Sequence, residues 1–380
     1  MKYSVIILNY NVKYFVDACL QSVQKAIAGK DAEIIVADNN STDGSKAYFK
    51  DQYPAVKFLW FDENSGFAKA YNRAVKQAQG EYLLILNPDT LVSENLLDEF
   101  QKLADRHPDF GIIGGKMIDG TGHFLPESKR GIPTPIVAFS KLTKLYKILN
   151  FKPFNQYYAG HLSENESGEV PVLTGALMFM RKKTYEQAGG FDERYFMYGE
   201  DIDLSYTIWK TGQKNYYLPS AKIIHFKGES SQQDANYLNN FLNTTFQFYR
   251  KHFYSFPVLE WAMKQFFKLW LKLRIKKNQN NTSNKKLHAY YFIGKKQHFE
   301  TIKNYYKELK KISNTSSSFP ENSLVIFDTS HLSFTEIIET MENNRNKKNT
   351  YRFYFPPKQM LLGSDKKDQL GKVKFINDLS

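Results

Sequence analysis

The sequence predicts an α/β protein built on a doubly wound, mostly parallel sheet. Three observations carry this expectation. Short apolar runs of strand length recur through the first 120 residues, helical patterns separate them, and each run ends in a polar, turn-forming cluster. Tyr3–Leu8, Glu33–Ala37, Val56–Phe61 and Glu81–Leu86 are the apolar or β-branched runs that read as strands. Between the first two, Phe15, Val16, Cys19, Leu20, Val23 and Ile27 share one helical face, so Cys19 reads as core. Gly66–Gln79 and Ser93–Ala104 are the next helices, the second with Ser93 as its N-cap. Further on, the apolar run Val172–Met180 contains Gly175 and precedes a helix over Lys182–Ala188. A second helix opens at Glu200 and runs to Lys210, and Ile223–His225 ends a short strand.

Length and composition bound the class. The 380 residues carry 42% hydrophobic and 24% charged side chains, which fits two or three globular units and excludes a wholly disordered chain. A single cysteine excludes an internal disulfide framework and a cysteine-built zinc site. The opening MKYSVIILNYN has too short an apolar run for a signal peptide, so a cytoplasmic location is expected; no run of 18 uncharged apolar residues suggests a membrane span. The net charge of +13 is unevenly spread. Residues 1–250 hold 28 basic and 28 acidic side chains, whereas residues 251–380 hold 24 and 11. Such a block fits an anionic partner (nucleic acid, anionic lipid or a phosphorylated substrate) or simply a solvated segment.

Parallel sheets bind ligands beyond the carboxyl ends of their strands, and that is where the polar clusters fall. Asn9-Tyr10-Asn11 follows the first strand and Asp38-Asn39-Asn40-Ser41-Thr42-Asp43-Gly44 the second. Asn64-Ser65-Gly66 follows the third, and Asn87-Pro88-Asp89-Thr90 the fourth. Turn chemistry accounts for any one of these; four in succession on one sheet edge predict a site. A buried strand that delivers Asp89 to its exposed end suits a hard divalent cation shared with phosphate oxygens. No glycine-rich dinucleotide or P-loop fingerprint is present. Glu200 and Asp201 open a helix behind an aromatic, glycine-containing turn. The helix macrodipole explains part of this, and general-base chemistry on a hydroxyl would require the same arrangement. His225, at a strand end before a polar loop, could complete a metal or diphosphate site with Asp89.

Taken together, VIILNYN, VADNNSTDGS, NSGFAKAYNRA, ILNPDT, the long run from VLTGALMF to TIWKTG, and IIHFKGESS resemble glycosyltransferase family 2, above all its bacterial rhamnosyltransferase-like members. The resemblance covers about residues 1–250. It implies a GT-A fold, a nucleotide-diphosphate-sugar donor and inversion at the anomeric carbon. Asp38 would hydrogen-bond the base, with Ser41 and Asp43 shaping its loop. Asn64, Gly66 and Asn72 would line the nucleotide and sugar, and Asn9, Asn11 and Gly175 fall in the same pocket. Asn87-Pro88-Asp89 stands where the family carries its DxD motif, with Asn87 replacing the first Asp and Asp89 binding Mg²⁺ or Mn²⁺. Asp201 would be the catalytic base with Glu200 in support, and His225 falls where some members place a metal ligand. The acceptor would be a hydroxyl of a glycan or polyprenyl-diphosphate-linked molecule in bacterial cell-surface polysaccharide synthesis.

The rest of the chain reads as a basic amphipathic helix with a polar linker over residues 251–284 and a small α/β unit over 285–380. In Val258–Lys277, Lys264, Lys268, Lys272 and Lys276 recur every four residues opposite Trp261, Phe266, Phe267, Trp270 and Leu273. That pattern suits the plane of an anionic membrane surface, or packing on the first domain. It makes the protein an expected peripheral component of the inner membrane face. The C-terminal unit has strands over His288–Ile293, Leu324–Asp328 and Tyr351–Phe355 and helices over Phe299–Lys311 and Phe334–Asn343. In SLVIFDTSHLSFTEIIETM and LLGSD it loosely resembles the Rossmann-like accessory domain of polyprenyl glycosylphosphotransferases. Two rival classes are a nucleic-acid-binding protein that uses the basic tail and a lipid-docked scaffold with a decayed transferase fold. The neutral first 250 residues count against the former, and intact Asp89, Asp201 and His225 against the latter.

Overall fold

The computed structural model describes residues 1–134, 157–226, 235–253, 261, 265, 287–313, 318–365 and 371–376. The loop 227–231 expected after His225 and most of the amphipathic segment 258–277 lie outside the described residues.

β1 (Tyr3–Asn9) is buried along its whole length, as a strand covered on both faces must be. α1 (Lys13–Ala26) follows and buries Phe15, Val16, Cys19, Leu20 and Val23 against the sheet. Then come β2 (Ala32–Asp38), the short α2 (Ser45–Phe49), β3 (Val56–Trp60), α3 (Gly66–Val75) and β4 (Tyr82–Leu86). These four strands are parallel in the order β3-β2-β1-β4, which brings the four polar loops to one edge.

The second half of the sheet is mixed. It comprises β5 (Thr90–Val92), β6 (Phe110–Ile118), β7 (Gly168–Glu169), β8 (Leu177–Arg181) and β9 (Lys214–His225). α4 (Leu96–Arg106), α5 (Lys182–Gln187), α6 (Glu200–Lys210) and α7 (Ala235–His252) flank it. The full order is β3-β2-β1-β4-β8-β6-β9-β5, with β7 beside β9; β8 runs antiparallel to both its neighbours.

Several sequence boundaries are corrected. The helix expected from Ser93 starts at Leu96, because Thr90–Val92 pairs with β9 and the Ser93 N–H donates to the Lys222 carbonyl. The apolar run Val172–Met180 becomes strand from Leu177, and that strand extends to Arg181; before it, Arg130 bridges Val172 and a Thr174–Leu177 turn intervenes. The strand ending at His225 has twelve residues.

A second sheet contains β10 (Ala289–Ile293), β11 (Leu309–Ile312), β12 (Ser323–Asp328), β13 (Thr350–Phe355), β14 (Met360–Gly363) and β15 (Lys372–Phe375). Its order is β11-β10-β12-β13-β14-β15, the first four parallel, with α8 (Lys296–Lys303) and α9 (Phe334–Asn343) as crossovers. The helix expected over Phe299–Lys311 therefore ends at Lys303. Its last residues form the edge strand β11, whose exposed Lys310 and Lys311 protect an open edge.

The two sheets share one hydrophobic cluster that runs from Val16 and Phe226 to Ile337, Met341 and Phe353. Polar contacts fix their alignment. Glu94 accepts the Phe334 and Thr335 N–H groups at 2.7 and 2.9 Å, at the start of α9. Glu342 receives Lys116 and Lys222, each at 2.7 Å, and Lys116 is only 3% exposed. Burial alone would raise the Glu342 carboxyl, but the two lysines outweigh it and hold it below the usual range. That contribution is present above the ordinary carboxylate range and fades as pH falls through the lowered value. Glu342→Ala leaves Lys116 buried with Glu164 3.6 Å away. Urea unfolding should register a loss of about 3 kcal/mol; a loss under 1 kcal/mol would show that the two sheets do not depend on this cluster.

Candidate active site

The sheet edge beyond β1, β2 and β3 is a web of hydrogen bonds among side chains and backbone. Asn9 is fully buried at the end of β1 and donates to Asp38 Oδ2 at 2.6 Å and Ser45 Oγ at 2.9 Å. Asp38 Oδ1 accepts the Ser41 N–H at 2.8 Å, closing an Asx turn. Asn11, at φ 58°, accepts the Thr42 and Asp43 N–H groups, while Asp43 accepts from Lys13 N and Ser45 N. Asn39 joins this loop to the next, donating to Asn64 Oδ1 at 2.8 Å and accepting from Ser65 N. Gly66 has φ 80°, and a Cβ there would lie 2.4 Å from the Phe196 carbonyl oxygen, so this approach admits only glycine. Asn72 is further off. It donates to the Phe191 carbonyl and Glu193 and accepts from Tyr185 and Phe191 N, so its side chain braces the turn before α6.

The register of β5 on β9 sets Thr90 opposite His225, and the Phe226 N–H donates to the Asp89 carbonyl at 3.0 Å. Asp89 and His225 thus meet although 136 residues separate them, with 3.3 Å between Oδ1 and Nε2. Asp89 is 1% exposed, and among the described residues neither of its oxygens has a hydrogen-bond partner. The ion-pair distance without hydrogen-bond alignment is what two ligands aimed at one shared point look like. An orphaned buried carboxylate costs roughly 1–3 kcal/mol, so something else is expected to satisfy it. Asn87 Nδ2 lies 3.4 Å from His225 Nε2. Among the described residues no three His, Cys, Asp or Glu side chains converge on one point. A cation here would take two protein ligands and complete its shell from phosphate and water oxygens. Cys19 packs beneath this turn, 3.6 Å from Thr90 Oγ1. Burial pushes its thiol up to about 12, which makes it core and not a nucleophile.

Further along the chain, Tyr198 and Gly199, at φ 70° and 91°, swing the backbone into α6. Asp201 Oδ2 accepts the Gly175 N–H at 3.0 Å and the Arg130 guanidinium, and Oδ1 accepts the Ile202 N–H at 2.7 Å. Arg130 also donates to the Leu173 carbonyl at 2.8 Å. Burial opposes the charge on Arg130, yet Asp201 outweighs it and holds the guanidinium ionised. The sequence reading missed Arg130 as a site residue. It lies 71 positions from its partner in a Lys-Arg-Gly run that carries no motif, and only the pairing with Asp201 discloses it.

Glu200 is buried, its Oε2 has no partner among the described residues, and desolvation followed by the neighbouring Asp201 pushes its carboxyl up to about 8. Folding therefore favours protonated Glu200. Its stabilising share is complete below the ordinary carboxylate range and is lost as pH rises towards 8. Glu200→Gln should flatten this dependence and be more stable than wild type at pH 8 by about 1–3 kcal/mol, measured by urea unfolding from pH 5 to 8. Equal pH profiles for the two proteins would contradict the buried, protonated state.

A model of the family described as "Glycosyl transferase family 2" matches residues 4–188. N-acetylglucosaminyl-diphospho-decaprenol L-rhamnosyltransferase of Mycobacterium tuberculosis is 31% identical over 245 residues, 60% of this chain and 78% of the relative. The chain belongs to glycosyl transferase family 2. Rhamnosyltransferase WbbL of Escherichia coli is 23% identical over 58% of this chain and 73% of its own. Among solved structures, the mannosyltransferase PcManGT of Pyrobaculum calidifontis, in complex with GDP-Man and Mn²⁺, superposes with TM-score 0.46 at 18% identity. That match covers 66% of this chain and 63% of that one.

As a family 2 member, the protein is an inverting glycosyltransferase with a GT-A catalytic sheet followed by a C-terminal α/β unit. Of the site residues expected from the sequence, the structure brings together Asn9, Asn11, Asp38, Ser41 and Asp43 in one loop web. It joins Asn64 and Gly66 through Asn39. Asn87, Asp89 and His225 form a second group, and Gly175 with Asp201 a third.

Proposed function

We propose that this family 2 enzyme transfers a sugar, with L-rhamnose the first candidate, from a nucleotide-diphosphate donor to a glycan hydroxyl on a polyprenyl-diphosphate-linked acceptor. The carrying observation is the set of unpartnered Asp89 oxygens facing His225, set against the Asp201–Arg130–Gly175 cluster. The relative from M. tuberculosis supports the choice of sugar and acceptor, since its name states both. In this reading the Asp38 loop holds the base and Asn64 and Gly66 border the ribose and sugar. Asp201 takes the proton from the acceptor hydroxyl as that oxygen attacks C1 from the face opposite the departing diphosphate. Arg130 and Gly175 fix the carboxylate's orientation from behind, and protonated Glu200 adds no second negative charge beside it.

Mg²⁺ or Mn²⁺ bound by Asp89 and His225 would supply charge stabilisation for the leaving diphosphate. Among the described residues no helix is long and apolar enough to cross a membrane. We propose peripheral attachment through the basic residues 258–277, and an accessory role for residues 285–380. A thermal-shift screen of dTDP-, UDP- and GDP-sugars with Mn²⁺ tests the donor assignment. One nucleotide series is expected to raise the melting temperature, and stabilisation by none would refute it.

A further inference from the structure

Asp89 and His225 face each other because β5 lies against β9, and β5 is a weak element. It has three residues, stands last in the sheet order and pairs with β9 through Thr90, Leu91 and Val92. A strand this short gains little from its own ladder, so packing from outside must fix it.

The C-terminal unit supplies that packing at both strands. Glu94 lies just beyond β5, and its two carboxylate oxygens accept the Phe334 and Thr335 N–H groups at 2.7 and 2.9 Å. Ser333 accepts the Glu336 N–H, so the start of α9 is fully capped, and its first two N–H groups depend on Glu94. Towards the other end of the same helix, Glu342 receives Lys222 of β9 at 2.7 Å. The Lys222 carbonyl in turn accepts the Ser93 N–H, at the end of β5, at 3.1 Å. Phe334 and Glu342 are about 12 Å apart along the helix axis. α9 therefore lies as a splint across the two strands. Its buried Ile337, Ile338 and Met341 share one apolar cluster with Leu91, Val92 and Ile224.

A second contact reaches the site directly. Phe226 follows His225, is 1% exposed, and donates its N–H to the Asp89 carbonyl at 3.0 Å. Its ring meets Phe353 of β13 edge-on, with centroids 5.6 Å apart and planes at 84°. A displacement of β13 is thereby felt at the backbone that carries both Asp89 and His225.

We propose that the C-terminal unit is a positioning element for the Asp89–His225 cation site, with Glu94 and Phe353 as its positioning residues. They hold β5 on β9 and so keep Asp89 opposite His225. The inference rests on the divalent-cation reading given above and assigns a task to the accessory unit. Neighbours that never touch a metal still govern its affinity through the ligands they hold, commonly by roughly 10–100-fold.

The test is Mn²⁺ binding to the full chain, read from the loss of the free ion's electron paramagnetic resonance signal below the melting temperature of every variant. Wild type should bind Mn²⁺ at a site that Asp89→Asn loses. Glu94→Ala should weaken binding about tenfold or more, and Glu94→Gln, which keeps a carbonyl oxygen for the α9 N–H groups, should recover part of the loss. Phe353→Leu should weaken binding through the other contact. Phe299→Ala is the control. Phe299 packs on Phe292, with centroids 6.0 Å apart, in a separate apolar cluster of the C-terminal unit, so this variant should melt earlier yet bind Mn²⁺ as wild type does. Wild-type affinity in Glu94→Ala, or in Phe353→Leu should Glu94→Ala not fold, would overturn the proposal and leave the cation reading intact. Equal weakening in Phe299→Ala would also overturn it, because Mn²⁺ binding would then follow stability alone. A wild type without Asp89-dependent Mn²⁺ binding would refute the cation reading itself, and the positioning role with it.

Discussion

Asp201→Asn is expected to lower the rate of sugar transfer by about 10²–10⁴-fold, the usual share of a positioned general base, while donor affinity stays at the wild-type level. The asparagine carbonyl can still accept the Gly175 N–H, so the local backbone persists. What is lost is the basic lone pair and the countercharge for Arg130, which is 11% exposed. Removing one partner of a buried pair costs roughly 3–5 kcal/mol, so the variant should also melt earlier and must be assayed below its own transition. The lost charge has a second consequence. Asp201 is one of the two causes that raise the Glu200 carboxyl, so Glu200 in this variant should ionise at lower pH than in wild type. Full turnover in the variant would remove Asp201 from the role of base.

The second large effect is expected at Asp89. Asp89→Asn should abolish the rise in melting temperature that Mn²⁺ and donor together produce, and should reduce turnover by about 10²–10³-fold. In EDTA the same variant should melt at or above the wild-type temperature, because the wild-type carboxylate is buried with both oxygens unpartnered. This opposition, ligand response lost while unliganded stability holds, separates a ligand-binding carboxylate from a structural one. A variant that melts well below wild type in EDTA would mark Asp89 as a turn residue whose role is to hold β5 against β9.

Much of this arrangement is legible in the sequence because the chemistry is local. Strands such as Tyr3–Asn9 and Tyr82–Leu86 are mostly apolar and lead into Asn or Asp clusters, so element and loop identify each other. The Glu200–Asp201 pair is visible because it opens a helix behind a glycine turn. Other features were illegible for definite reasons. Ser93 looks like an N-cap, but tertiary pairing of Thr90–Val92 with the strand ending at His225 overrides that local preference. Lys310 and Lys311 continue a helical pattern, and only lateral pairing with Tyr291 and Phe292 makes them strand. The antiparallel pair Met360–Gly363 and Lys372–Phe375 is too short to register against its surroundings. Arg130 and the Lys116–Glu342–Lys222 cluster are long-range ion pairs, for which sequence spacing holds no signal.

The central claim is sugar transfer with inversion at a site framed by Asp201 and the Asp89–His225 pair. It is tested most directly by incubating the full-length protein with its stabilising nucleotide sugar, Mn²⁺ and a polyprenyl-diphosphate-linked glycan, and reading the new linkage by NMR. The account predicts a product whose anomeric configuration is opposite to the donor's, formed by wild type and not by Asp201→Asn. Retention of the donor's configuration, or equal product from the variant, would contradict it.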